Sequence, residues 1–169
     1  MILAIDPGNI ESGYVVIDGG SLKPLIAEKV TNEDLLKRIK KSKGMNITDI
    51  AIEMVASYGM AVGVTVFETC VWIGRFLEAC KTVFPDAEIK FIYRKDEKMN
   101  LCGSMKAKDS NIVQALIDRF APNTPNKGKG SKKEPGWFYG FKKDIWQAYA
   151  VGITYRDMYI KNNENMEVL

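Results

Sequence analysis

The chain is 169 residues long, carries a net charge of +3, and has ordinary apolar (46%) and charged (27%) fractions, which fits one soluble domain with a core of its own. It contains no histidine, which excludes Ser-His-Asp triads and histidine-ligated zinc and leaves carboxylates, lysines or a carboxylate-bound metal for any hydrolysis. Three cysteines without CxxC spacing, no stretch approaching ~18 apolar residues, and an acid as early as Asp6 speak against a disulfide framework, a membrane span and a signal peptide, and predict a cytoplasmic protein.

Residues 1–6 read as an apolar strand ending on Asp6, followed by a Pro7-Gly8 turn and a second strand over 13–18. Gly19-Gly20 is a breaker, and 24–30 is a third strand, so the short connections predict an antiparallel meander. Asn32 is the expected N-cap of a helix with Glu33 and Asp34 in its first turn, Leu35, Leu36 and Ile39 on one face, and a basic end at Lys37 to Lys43. Asp49 to Met54 is a short apolar strand carrying Glu53 near its end. Val66, Cys70, Ile73, Leu77 and Cys80 recur at helical spacing and predict a long helix from about Thr65 to Phe84, stopped by Pro85. Glu88 to Tyr93 is a fifth strand. A helix over Lys108 to Phe120, capped by Asp109 or Ser110, turns Ile112, Leu116 and Phe120 inward. Residues 121–140 form a flexible Pro/Gly/Lys-rich loop, and a last helix runs from near Phe141 to about Lys161. The order predicts a single α/β domain over 1–169 with a five-stranded mixed sheet flanked by helices.

Three acids fall where a metal site can form. Asp6 ends the first strand, Glu53 ends the fourth, and Asp144 lies in the first turn of the last helix. A fourth strand returning parallel beside the first makes Asp6 and Glu53 neighbours at the strand ends, where open α/β sheets place their chemistry. A helix packed on that sheet brings Asp144 to the same edge. Carboxylates gathered in this way repel unless a cation neutralises them. Oxygen-only ligation selects a hard ion such as Mg²⁺ or Mn²⁺. Each acid also has a plain structural role: Asp144 favours the helix macrodipole, Glu53 can sit in a salt bridge, and Asp6 can serve the turn. Their joint placement points to a metal.

Ala4-Ile5-Asp6-Pro7-Gly8 followed by Gly13-Tyr14 resembles the opening of RuvC-type Holliday junction resolvases. Ala51-Ile52-Glu53 resembles their second catalytic segment, and Asp144-Ile145-Trp146-Gln147-Ala148-Tyr149-Ala150 lines up with their final acidic helix. The resemblance runs nearly end to end and looks closest to the RuvC-like endonucleases carried by phages of Gram-positive bacteria. It implies a ribonuclease H-like fold, a homodimer, and hydrolysis of phosphodiesters in four-way or other branched DNA by paired nicks. It also implies two Mg²⁺ or Mn²⁺ ions per site, with Asp6 bridging both and Glu53 and Asp144 as further ligands, and products with 5′-phosphate and 3′-hydroxyl ends. One position departs: the family's fourth acid falls on Gln147, which offers a carbonyl but no charge. Asp109 is then either a substitute ligand or a helix cap. Three readings stay open: a junction resolvase, a broader nuclease cutting forks and flaps, and a catalytically weak junction-binding protein. Actin-type ATPases share the Asp-x-Gly turn but are usually far longer.

Positive charge gathers at Lys95, Lys98, Lys106 and Lys108, and again at Lys127, Lys129, Lys132, Lys133, Lys142 and Lys143. The second group lies largely in the Gly-spaced loop leading into the acidic helix, which suits contact with a phosphate backbone. Lys106 and Lys108 fall near the basic segment that the resembled family uses against DNA. Trp137, Phe138, Tyr139 and Phe141 form an aromatic cluster that suits packing against the last helix better than base stacking. The family often places an aromatic wedge after its second acid; Tyr58 and Met60 are the candidates here. The long helix from Thr65 also carries Phe67, Trp72, Phe76 and Val83, so it is apolar on more than one face and suits a dimer interface.

Overall fold

Five strands, β1 (Ile2–Asp6), β2 (Glu11–Ile17), β3 (Pro24–Thr31), β4 (Asp49–Met54) and β5 (Glu88–Tyr93), form one sheet in the order β3-β2-β1-β4-β5. The structure is a computed structural model and describes residues 1–57, 59 and 61–161. β2 runs antiparallel to β1 and β3, while β4 runs parallel to both β1 and β5. The meander and the parallel return of the fourth strand both follow the sequence pattern. The helices are α1 (Asn32–Lys41), α2 (Val64–Val83), α3 (Arg94–Cys102), α4 (Asp109–Phe120) and α5 (Lys143–Tyr155).

Strand alternation decides which core each side chain enters. Ile2 and Ala4 in β1, Val15 and Ile17 in β2, Ala51 in β4 and Ile92 in β5 join a core shared with α4 and α5. Leu3, Ile5, Tyr14, Val16, Ile50 and Ile52 join a second core under α1 and α2. The same parity carries Asp6, Gly13 and Glu53 onto the α5 face. α5 is buried nearly all round, from Ile145 to Tyr155. It lies close against the sheet because Gly152 has no side chain: a Cβ there would sit 2.4 Å from Ile17 Cδ1 and 2.9 Å from Ala4 Cβ. The Tyr149 hydroxyl adds a long-range tie, donating to the Leu22 carbonyl at 2.8 Å and accepting from Trp137 Nε1 at 3.1 Å.

Several local expectations are corrected. The N-cap of α1 is Thr31, whose hydroxyl accepts from the Asp34 N–H at 3.2 Å; Asn32 is drawn inward instead. In α2 the buried residues are Thr69, Ile73, Phe76, Ala79 and Cys80, so Cys70 is exposed and Phe76 belongs to the core. The inner face is rotated by one residue because Phe76 offers the larger apolar area to bury. α3 is an element that the apolar pattern did not signal. α5 begins at Lys143 and ends in a π-helical turn, Arg156–Ile160. The segment 121–140 contains a 3₁₀ turn at Pro125–Gly128, and backbone bonds join Gly136 to Lys129 (2.9 Å) and Phe138 to Gly128 (3.0 Å). Phe138 and Phe141 are fully buried against Trp146 and Tyr149, whereas Tyr139 is exposed. The aromatic cluster therefore packs, as expected, with Tyr139 left out of it.

Candidate metal centre and nucleic-acid face

β1 and β4 are parallel neighbours, so their C-terminal ends reach the same edge. Ile5 pairs with Ile52, which leaves Asp6 and Glu53 side by side one residue further on. The turn after Asp6 is tied down from beneath. The Gly8 N–H donates to Ser12 Oγ at 3.2 Å, the Ser12 hydroxyl donates to Asn32 Oδ1 at 2.6 Å, and Asn32 Nδ2 donates to the Gly8 carbonyl at 2.9 Å. Ser12 and Asn32 are both buried, so this network is shielded from competing water.

Asp144 arrives through a second backbone device. Asp6 pairs across β2 with Gly13, and Gly13 pairs with Lys29 in β3. A Cβ on Gly13 would lie 2.4 Å from the Asp144 carbonyl oxygen, so only glycine lets the first turn of α5 settle there. Lys29 then reaches Asp144 Oδ2 at 2.8 Å and Glu11 at 3.0 Å. These bonds, first the one to Asp144, hold the Lys29 ammonium above its ordinary range.

The Asp6 and Glu53 carboxyls are near enough for each charge to act on the other. Burial, and then the Glu53 charge, hold Asp6 far above the usual carboxylate range, with Asp144 and Glu97 adding to the effect. Desolvation and like charge act in the same direction here.

The remaining side of the cluster comes from α3, which starts directly after β5 and so begins at the same edge, beside β4. Its one buried residue is Glu97, which is fully enclosed. The Arg94 guanidinium donates to Glu97 Oε2 at 2.5 Å, to Gln147 Oε1 and to Asp109 Oδ1. Burial opposes the Arg94 charge, but Glu97, Asp109 and Glu53 together hold the guanidinium above its ordinary range. Burial, and next the Glu53 charge, push Glu97 well above the usual carboxylate range despite Arg94.

The structure thus brings Asp6, Glu53 and Asp144 to one edge, as the sequence predicts. Gln147 stands beside them with its carbonyl engaged by Arg94. Asp109 is not a cap, because α4 has no side-chain cap of that kind: the Lys108 N–H is taken by Asn111 Oδ1 at 2.8 Å. The Asp109 side chain is exposed and turns to Arg94. Glu97 and Arg94 were not anticipated. The helix-forming run after Tyr93, closed by Gly103 in the left-handed region (φ 63°), was a readable helix signal. It does not say which acid faces inward, because α3 has no apolar stripe to orient it.

The donor set fits a hard divalent cation: oxygen ligands only, mutually repelling, with Glu97 Oε1 buried and without a hydrogen-bond partner. Among the described residues no group of three acids is already drawn into a cage. Lys29 on Asp144 and Arg94 on Glu97 supply the compensating positive charge instead.

The basic residues form an exposed fringe. Lys106, Lys108, Lys127, Lys132, Lys133, Lys142 and Lys143 are exposed and Lys129 is half-buried. None of these lysines takes part in an ion pair among the described residues. Lys142 and Lys143 lead directly into Asp144, so the fringe adjoins the acidic edge. Tyr58 and Met60, the wedge candidates, lie outside the described residues. On α2, Val64, Phe67 and Val71 are exposed, with Ile10 beside Val71 across a shallow groove. No helix among the described residues is long and apolar enough to cross a membrane.

No protein-family model matches the chain, and no curated protein matches it. Among solved structures it is similar to RuvC of Thermus thermophilus in complex with a Holliday junction substrate. The TM-score is 0.67 at 14% identity, over 96% of this chain and 95% of that one. It is similar as well to a second Thermus thermophilus RuvC structure, with a TM-score of 0.63 at 18% identity, over 96% of both chains. The fold is therefore the ribonuclease H-like fold of RuvC, a five-stranded mixed sheet between helices.

Proposed function

We propose that this protein is a divalent-metal-dependent endonuclease that resolves four-way DNA junctions by paired nicks, of the kind carried by phages and acting in the bacterial cytoplasm. The observation that carries the reading is the convergence of Asp6 and Glu53, at adjacent parallel strand ends, with Asp144 in the first turn of α5, in a RuvC fold. Asp6, Glu53 and Asp144 would hold the divalent metal, Mg²⁺ or Mn²⁺. Held there, such a metal would supply an activated water and charge stabilisation for the departing 3′ oxygen, chemistry that would leave 5′-phosphate and 3′-hydroxyl ends. The chain's own contribution is to fix the carboxylates by the Ser12–Asn32–Gly8 network and by the Gly13 contact, and to keep them partly desolvated.

The lysine fringe from Lys127 to Lys143, with Lys106 and Lys108, takes the phosphate backbone. The exposed row Val64, Phe67 and Val71, extended by Ile10, supports a homodimer, which presents two sites to a near-two-fold junction. A monomer in sedimentation at micromolar concentration, unchanged by Phe67→Glu, would remove the dimer from this reading.

A second reading, junction binding with weak cleavage, is favoured by Gln147, whose carbonyl is engaged by Arg94. Labelled four-way junction, fork, flap and linear duplex, incubated with Mg²⁺ or Mn²⁺ alongside Asp6→Asn, separate the readings. Symmetric paired nicks at the junction alone identify a resolvase. Cutting of every branched form identifies a broader nuclease, and tight binding without cutting in either metal identifies the binder.

A further inference from the structure

We propose that Glu97 is the fourth carboxylate of the metal centre, delivered from α3 in place of the acid that α5 lacks at Gln147. The proposal rests on the metal-dependent reading above.

Three observations carry it. Glu97 is fully buried and its Oε1 has no hydrogen-bond partner. A buried carboxylate oxygen without a donor is costly, and natural structures rarely leave one without a purpose. An ion pair with Arg94 accounts for Oε2 alone, at 2.5 Å. The second observation is placement. α3 follows β5, and β5 pairs with β4 so that Ile92 lies opposite Glu53. Glu97 therefore enters the cluster from the Glu53 side, while Asp144 enters from α5 above Gly13. Asp6 lies within electrostatic reach of all three acids. The third observation is Arg94 itself. One guanidinium holds both the Gln147 carbonyl and Glu97 Oε2. The negative charge missing at 147 reappears at 97 on the same clamp, and the clamp leaves Oε1 as the bare donor atom. Gln147 is then a positioning residue for Arg94.

The test is Mn²⁺ affinity by isothermal titration calorimetry on the full chain, with thermal unfolding in the presence and absence of Mn²⁺. Glu97→Gln is expected to weaken Mn²⁺ binding ~10-fold or more. Its metal-free melting temperature should hold or rise, because Gln, unlike Glu, gives the unfolded chain no favourable ionisation to lose on burial. Adding Gln147→Glu to that variant should return the affinity to within a few-fold of wild type. Wild-type affinity in Glu97→Gln, together with a lower metal-free melting temperature, overturns the proposal and leaves Glu97 as a partner of Arg94 only. Loss of binding in Asp6→Asn but not in Glu97→Gln defeats the proposal while the metal-dependent reading stands. No Mn²⁺ binding by the wild type defeats both. If Glu97→Gln does not fold, Glu97→Asp asks the same question with the charge kept but drawn back by one methylene. Weaker Mn²⁺ binding supports the proposal there, and unchanged binding overturns it.

Discussion

Two charged regions of opposite sign adjoin one another, and they are built in opposite ways. The acids at the ends of β1 and β4 and on α3 and α5 are half or fully buried, press on one another, and are fixed by backbone contacts and a shielded hydrogen-bond network. The lysines from Lys127 to Lys143 are nearly all exposed, belong to no ion pair among the described residues, and lie on a segment anchored by Phe138 and Phe141. Buried charges act through position and protonation, so their effects are large and not additive. Exposed charges act through a screened field, so each contributes little and the contributions add.

The sharpest way to break the comparison is at its centre. Asp6→Asn removes the acid shared by the whole cluster. Cleavage should fall on the order of 10³-fold or more while junction binding is retained, in gel-shift and cleavage assays run side by side. The variant should also melt higher without metal, since burial, and then the charges of Glu53, Asp144 and Glu97, disfavour the ionised form of Asp6 in the fold. Activity near wild type would mean that Asp6 holds no metal.

Gly13→Ala tests position without touching charge. Its Cβ would meet the Asp144 carbonyl oxygen at 2.4 Å and force the start of α5 away. Overpacking of this kind costs about 1–3 kcal/mol, measurable by denaturant unfolding. A displacement of Asp144 by about 1 Å would cost cleavage roughly 10²-fold. An unaltered rate would show that Asp144 does not need its place over Asp6.

Protonation gives an intermediate effect with a defined sign. Asp6 and Glu97 are both raised in the fold from ordinary values of 3.8 and 4.5. Above those ordinary values the folded state holds protons that the unfolded chain has released, so metal-free stability should fall as pH rises from about 5 through neutrality. Divalent metal, by compensating the carboxylates, should flatten the curve. Melting temperatures from pH 5 to 9, with EDTA and with Mn²⁺, check this. A metal-free stability that climbs over that range would mean that the cluster is not self-repelling.

The smallest effect belongs to the lysines. Lys132→Glu with Lys133→Glu should weaken junction binding and reduce the slope of log affinity against log salt by roughly 2, close to one for each phosphate no longer neutralised. The cleavage pattern should stay the same. A salt slope equal to that of the wild type would place the DNA elsewhere.

Much of the acidic edge was legible because strands alternate and because two motifs end on acids. Asp6 and Glu53 share a parity with Ala4 and Ala51, and both close apolar runs, so their meeting required only that β4 return parallel beside β1. Asp144 was legible from its motif, but the reason it reaches the site, the missing Cβ at Gly13, became visible only in the packing. Of the two readings of Asp109, the cap fails because a helix start alone suggests one, whereas the side chain has a better partner in Arg94. The same holds for Asn32, which looked like a cap and instead braces the turn after Asp6.

The sequence by itself determined the strand order of the meander, the helical spans with clear apolar periodicity, and the metal-suited chemistry of a chain without histidine. Those properties are local: they follow from side-chain period, turn residues and residue type within a few positions. Only the tertiary structure decided that Glu97 is buried with one oxygen bare, that Arg94 joins it to Gln147 and Asp109, and that Lys29 reaches Asp144 across β2. These interactions join residues from 3 to more than 100 positions apart, and a short polar helix such as α3 has no apolar stripe to announce which of its faces turns inward.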